Sequence, residues 1–431
     1  MPINKKSRLN NIITWLHLWL GLVSGIVVVI VSVTGCLFVF QEEISHFVHH
    51  KTYFVEPPAS SQVALPLSEL KQKAQAFLGP DAPVTYITSY TDPDRSWEFM
   101  SYVAGDPDAL TYGGTSKVYK SAFLNPYSGA VTGLIDYRTD FFMVVKGIHW
   151  SLYLNDAIGQ RIVGWSTFIF VILLITGLIM WWPKKWNKKS VDNSFKIRWK
   201  AKFKRLNYDL HNVLGFYTFI IALIIALTGL TWAFEWFNKA VYATATLSTA
   251  PISYPAYSSD TTAVASIASP MDYALQQARK IYPEAKRYTT SPVTGNKAAA
   301  ISVSAYGHEG TYYDANTLYF DQGTGKRLGA ELYQQQNLGH KLVAMNYDIH
   351  VGAIGGLMGK IIAFLVSLVC ASLPITGFYI WWGKKRKQKK KYSKELKVWN
   401  KYQKRRNGAM QATTQVAVPD NGITETNSVA G

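Results

Sequence analysis

Cysteine is almost missing from this chain: two of 431 residues, Cys36 and Cys370, and both lie inside apolar runs. A disulfide framework and a Cys-rich metal site are thereby excluded, and the two thiols read as small buried hydrophobes. Acidic residues are also scarce, 27 against 45 Lys and Arg, for a formal charge of +18. No Ser-His-Asp arrangement or pair of carboxylates stands out, so nothing points to hydrolytic chemistry.

The basic excess is local. Residues 1–11, 183–210 and 383–431 hold 26 of the 45 basic residues and 5 of the 27 acids, leaving the remainder slightly acidic. A nucleic-acid-binding protein would spread such charge along a groove or helix face. Here every block abuts an apolar run, the pattern of cytoplasmic loops under the positive-inside rule, so a bilayer and not nucleic acid is the implied partner.

Four stretches, about 12–40, 162–182, 213–234 and 357–382, are long and apolar enough to span about 30 Å of hydrocarbon. The first follows Lys5, Lys6 and Arg8 but has no small-residue cleavage site, and reads as a retained anchor. Trp181–Trp182 and Trp381–Trp382 precede Lys184–Lys185 and Lys384–Lys385, as interfacial aromatics precede cytoplasmic cations. Both termini then lie inside, which leaves residues 41–148 and 241–345 on the outer face. Each outer region opens on a polar linker. Each continues with an amphipathic helix, Leu67–Phe77 or Tyr273–Ile281, then strand-like runs, and ends in a Gly-rich hairpin signal.

The chain is duplicated. His17-x3-Gly21-x12-Thr34-Gly35 recurs with identical spacing as His211-x3-Gly215-x12-Thr228-Gly229. Ile148-His149, Gly159, Thr176-Gly177 and Trp181-Trp182 recur as Ile349-His350, Gly359, Thr376-Gly377 and Trp381-Trp382. Two halves of equal topology imply a pseudo-two-fold axis along the membrane normal. Across it His17 meets His211 near the cytoplasmic side, and His149 meets His350 near the outer side. Two histidines are too few for zinc but suffice as axial ligands of haem, which brings four nitrogens of its own. No Cys-x-x-Cys-His occurs, so that haem is non-covalent. The Gly and Thr-Gly positions provide room for a macrocycle or close helix packing. Arg161 and Lys360 at the outer entry, and Arg8, Lys204 and Arg205 at the inner one, are candidates to pair with propionates or headgroups. His46, His49 and His50 read as solvated, with an extra ligand as the lesser alternative; His308 and His340 read as surface residues, His340 held in reserve. His149 lies 13 residues before Ile162, too far above the bilayer unless Asn155–Asp156 and Gly159, or Gly352 and Gly355–Gly356, break the helix.

These motifs, from about residue 8 to 388, resemble the PepSY-associated transmembrane helix family of bacterial inner-membrane proteins, which includes siderophore-iron reductases. The outer units, ending in Leu124-Asn-Pro-Tyr-Ser-Gly and Phe320-Asp-Gln-Gly-Thr-Gly, are similar to PepSY domains. The fold this implies is an integral membrane α-helical protein, four tandem-duplicated transmembrane helices with two periplasmic α+β PepSY-like domains. The order runs 1–40 (N-terminus and helix 1), 41–148 (first periplasmic domain), 149–182 (His segment and helix 2), 183–210 (basic loop), 211–240 (helix 3), 241–345 (second periplasmic domain), 346–382 (His segment and helix 4) and 383–431 (a disordered basic tail). The resemblance implies two haem b groups on His17, His211, His149 and His350 and reduction of a ferric siderophore in the periplasm. Some relatives carry a fused nucleotide-binding domain. Residues 383–431 show no such Gly motif, so a quinol or a separate cytoplasmic reductase is the expected donor. The alternatives are a siderophore or solute transporter, and a non-enzymatic regulator of a periplasmic partner.

Overall fold

The computed structural model describes residues 8–58, 62–183, 185–262, 267–292 and 296–416. Lys5, Lys6 and Lys184, named above, and residues 417–431 lie outside them.

The first half opens with α1 (Arg8–Phe38), followed by short α2 (Gln41–Val48) and α3 (His50–Tyr53). Then come α4 (Leu67–Leu78) and four strands, β1 (Val84–Tyr90), β2 (Trp97–Ala104), β3 (Ser116–Leu124) and β4 (Val131–Asp136). α5 (Phe141–Ser151) carries His149, and α6 (Arg161–Trp181) returns across the bundle. A linker with α7 (Lys188–Phe195) and α8 (Phe203–Asp209) leads to the second half: α9 (Gly215–Ala233), α10 (Glu235–Thr246), α11 (Pro270–Ile281) and strands β5 (Arg287–Ser291), β6 (Ile301–Tyr306), β7 (Asn316–Phe320) and β8 (Arg327–Glu331). α12 (Leu338–His350) carries His350, and α13 (Gly356–Val416) closes the chain.

Among the described residues four helical segments, built on α1, α6, α9 and α13, are long and apolar enough to cross a membrane. Their apolar side chains face outward as well as inward: Val23 is 73% exposed and Ile26 75%. Water would penalise such a surface at about 25 cal/mol per Å², whereas lipid does not. The molecule is a multi-pass membrane α-helical protein with an α+β part.

The two strand regions are not separate domains. They form a single antiparallel sheet in the order β4-β3-β2-β1-β5-β6-β7-β8, joined where Thr88 pairs with Thr289 and Tyr90 with Arg287. α4 and α11 cover one face of it. Leu70, Ala74, Phe99 and Leu124 from the first half share a core with Ala278, Val303 and Phe320 from the second. Fusion hides the edge that each four-stranded unit would otherwise expose.

The tail expectation is corrected as well. More than half of residues 384–405 are Lys or Arg, which suggested disorder, yet α13 continues without interruption through Val416. Lys, Arg, Gln, Glu and Leu are all good helix formers, and a helix already nucleated in the apolar span propagates through them cheaply.

Candidate functional site

The chain reversal after His149 is built from strain and a close approach. α5 ends in Leu152 and Tyr153, both at positive φ (54° and 63°), an uncommon conformation for non-glycine residues. A π-helical turn, Asp156–Gln160, then starts the next span. In the second half Gly352 (φ 79°) and Gly356 (φ 57°) make the corresponding turn. The repeat-equivalent glycines have one purpose: a Cβ on Gly159 would lie 1.9 Å from the Ser151 carbonyl oxygen, and one on Gly359 2.1 Å from that of Gly352. The histidine segments therefore fold back along the bundle and do not stand above it.

As a result His149 reaches α1 and His350 reaches α9. The His149 Nδ1 lies 2.9 Å from the Val31 carbonyl oxygen and 3.2 Å from the Thr34 hydroxyl. The His350 Nδ1 lies 3.0 Å from the Ile225 carbonyl and 2.9 Å from the Thr228 hydroxyl. A carbonyl only accepts, so in each ring Nδ1 carries the proton and Nε2 is left as the base. The other pair repeats the arrangement: His17 Nδ1 is 2.9 Å from the Thr176 hydroxyl, and His211 Nδ1 2.9 Å from that of Thr376. Thr176 and Thr376 donate their own protons to the carbonyls of Ile172 and Ser372 one turn back, so their oxygens accept from the imidazoles.

The four Thr-Gly steps of the membrane spans are all used in this way. A Cβ on Gly177 would stand 3.3 Å from His17 Cε1, on Gly377 3.3 Å from His211 Cε1, on Gly35 3.2 Å from His149 Cε1 and on Gly229 3.5 Å from His350 Cε1. Packing and cofactor room were the two roles the sequence allowed these dipeptides. The contact with histidine is a third, and the recurrence of Thr-Gly opposite each His was its available signal.

The structure brings the histidines together in the two expected pairs. The ring centres of His17 and His211 are 6.5 Å apart, and those of His149 and His350 5.9 Å apart. His17 is 17 residues from Thr34 on the same helix, so the two pairs are separated by about 25 Å along the bundle at 1.5 Å per residue. Around the far-side pair is a cavity of about 450 Å³ lined also by Gly21, Gly215 and Lys384; around the sheet-side pair is one of about 410 Å³ lined also by Lys146 and Tyr347. Both cavities touch Val28 and Phe170, so they meet end to end in the middle of the bundle. His211 sits in a π-helical turn, Leu210–Leu214, of the type that recurs at functional sites, whereas His17 is in regular helix.

The flanking cations need correction. Lys360 is 9% exposed, and its ammonium binds Glu43 at 2.7 Å and Glu42 at 3.6 Å, because a buried ammonium needs a partner. Arg161 is exposed at the start of α6, and neither residue lines the sheet-side cavity. Lys146 does. On the far side Arg205 is held by fully buried Asp209 at 2.8 Å, Arg8 and Lys204 are exposed, and Lys384 lines the cavity instead. Among the described residues no three His, Cys, Asp or Glu side chains come together to hold a metal ion. His46 and His50 instead pack on Phe54, His308 pairs with Asp314, and His340 bonds Asn337.

No curated protein matches the chain. Residues 14–384 match the family described as the PepSY-associated TM region, and the chain belongs to that family.

Proposed function

We propose that this chain holds two haem b groups, each between a pair of histidines, and passes electrons across a bacterial inner membrane to a ferric siderophore in the periplasm. The observation that carries this reading is the spacing of the paired rings. Two metal–nitrogen bonds of about 2 Å, with about 1.1 Å from each nitrogen to its ring centre, put ring centres about 6 Å apart. Both pairs have that spacing, with Nδ1 turned away to a hydrogen-bond acceptor as metal-bound histidines require. His17 and His211 would hold one group, His149 and His350 the other. Lys384 and Lys146 are the cations placed to meet carboxylates at the two levels.

Haem so ligated supplies one-electron transfer and has no open position for oxygen. The protein orients the imidazoles, excludes water with the apolar walls and sets the two sites in series through Phe170 and Val28. The basic segments stand at the end of the bundle opposite the sheet, which supports a cytoplasmic position for that end and for both termini. Electrons would enter there from a quinol or a separate reductase. On the periplasmic side iron reduced to Fe(II) binds hard oxygen ligands less tightly and leaves the chelate.

The test is the absorption spectrum of the purified protein. A dithionite-reduced b-type spectrum is expected, with half its amplitude lost in His17→Ala and the other half in His149→Ala. A colourless wild-type protein overturns the reading.

A further inference from the structure

Each histidine is held by the Thr-Gly step of its own half, and the exchange is reciprocal. In the first half α1 contributes His17 to the far-side site and Thr34-Gly35 to the sheet-side site, while the α5–α6 arm contributes Thr176-Gly177 and His149. In the second half α9 and its leading turn give His211 and Thr228-Gly229, and the α12–α13 arm gives Thr376-Gly377 and His350. Each half thus completes two ligand cradles by itself. The pairing of ligands occurs only across the pseudo-two-fold axis.

The cradle has two parts with different physical effects. The glycine lets the imidazole edge lie against a helix backbone, which fixes the plane of the ring. The threonine hydroxyl accepts the Nδ1 proton while its own proton is bound to its helix, so the acceptor cannot rotate away. In the sheet-side pair the carbonyls of Val31 and Ile225 share the same proton; in the far-side pair the threonine oxygen at 2.9 Å is the close acceptor for each ring.

We infer that Thr34, Thr176, Thr228 and Thr376 are positioning residues that set the basicity of the four histidines and thereby hold down the reduction potential of what they bind. This rests on the haem reading above. An Nδ1–H donated to an oxygen pushes electron density towards Nε2, and a more basic Nε2 favours Fe(III) over Fe(II). A lower potential is what a carrier needs to reduce a tightly chelated ferric ion. The far-side pair is the place to read the effect, because there the threonine oxygen is the close acceptor for each ring.

The test is a redox titration of Thr176→Val/Thr376→Val, followed by visible absorption. Valine keeps the shape of threonine but cannot accept the proton. At a fixed poise near the midpoint, the reduced-to-oxidised ratio of the far-side haem should rise up to tenfold, equivalent to about 59 mV for a one-electron couple. The sheet-side haem should titrate as in wild type and so reports an intact fold. Thr176→Ser/Thr376→Ser should restore the wild-type curve. If the double valine variant does not fold, Thr176→Val alone should give a smaller shift in the same direction. An unchanged curve in the valine variant, or a serine variant that behaves like valine, overturns the inference while leaving the haem reading intact. A colourless wild-type protein overturns both.

Discussion

An imidazole lying against the backbone of Gly35 or Gly177 must shift by a few tenths of an ångström to admit an added methyl group. A Cβ at 3.2–3.3 Å is closer than ordinary van der Waals contact, and the ring must tilt to admit it. Gly177→Ala should therefore displace His17 and Gly35→Ala should displace His149. Alanine favours helix over glycine by up to about 1 kcal/mol, so neither change should cost fold stability. The expected result is a split: Gly177→Ala alters only the absorption of the far-side site and Gly35→Ala only that of the sheet-side site, at unchanged or slightly raised melting temperature. Spectra and melting curves of the two purified variants read both halves of that expectation. The buried Lys360 is a different case, since its charge is taken up by Glu42 and Glu43 and it joins α13 to α2.

At the scale of elements, the hairpins depend on capped turns as much as on their strands. The turn between β7 and β8 is organised by Asp321, 2% exposed, whose carboxylate accepts from the backbone N–H groups of Asp260, Gly323 and Thr324. Burial pushes this carboxyl up, but those hydrogen bonds outweigh it and hold its pKa below the ordinary value of 3.8. A carboxyl with a depressed folded pKa adds stability above its unfolded pKa, and that stability is lost as pH falls through the folded one. Asp321→Asn should destabilise the fold at pH 7 by about 1–3 kcal/mol of lost charge-assisted hydrogen bonding, seen as a lower melting temperature. The gap to wild type should close as both are acidified below pH 4, measured by thermal unfolding across that range. In the equivalent turn between β3 and β4, Asn125 accepts from the N–H groups of Tyr127 and Ser128, a neutral version of the same cap.

At the scale of the whole molecule the halves meet along the bundle, where α1 packs on α13, α6 packs on α9 and the histidines pair, and again at the β1–β5 seam in the sheet. Thr289 lies in the middle of that seam, paired with Thr88 on one side and Ser304 on the other. Both ladders of a central strand are in use, so Thr289→Pro removes a donor and leaves a buried carbonyl without its partner, at a cost of about 1–3 kcal/mol. The expected outcome is faster proteolysis at both β1 and β5, where damage to an independent domain would be confined to the second half. Mapping the first cleavage sites distinguishes the two.

The four spans, the duplication and the pairing of His17 with His211 and of His149 with His350 were legible in the sequence because each rests on a local or periodic signal. Apolar length marks a span whatever surrounds it, and identical spacing in two segments needs no coordinates to be seen. The start of α4 at Leu67 and the break after His149 follow from local chemistry too. What required tertiary structure were properties of surfaces brought together from distant parts of the chain. Thr176 touches His17 across 159 residues and Lys360 reaches Glu43 across 317, and no periodicity links such positions. The joining of two four-stranded units into one sheet was hidden for the same reason, since β1 and β5 look like any other strands until their edges meet. The sequence by itself determined which residues recur. Folding decided which side chains each of them faces, because burial gives every cation, imidazole and strand edge a partner chosen by proximity in space.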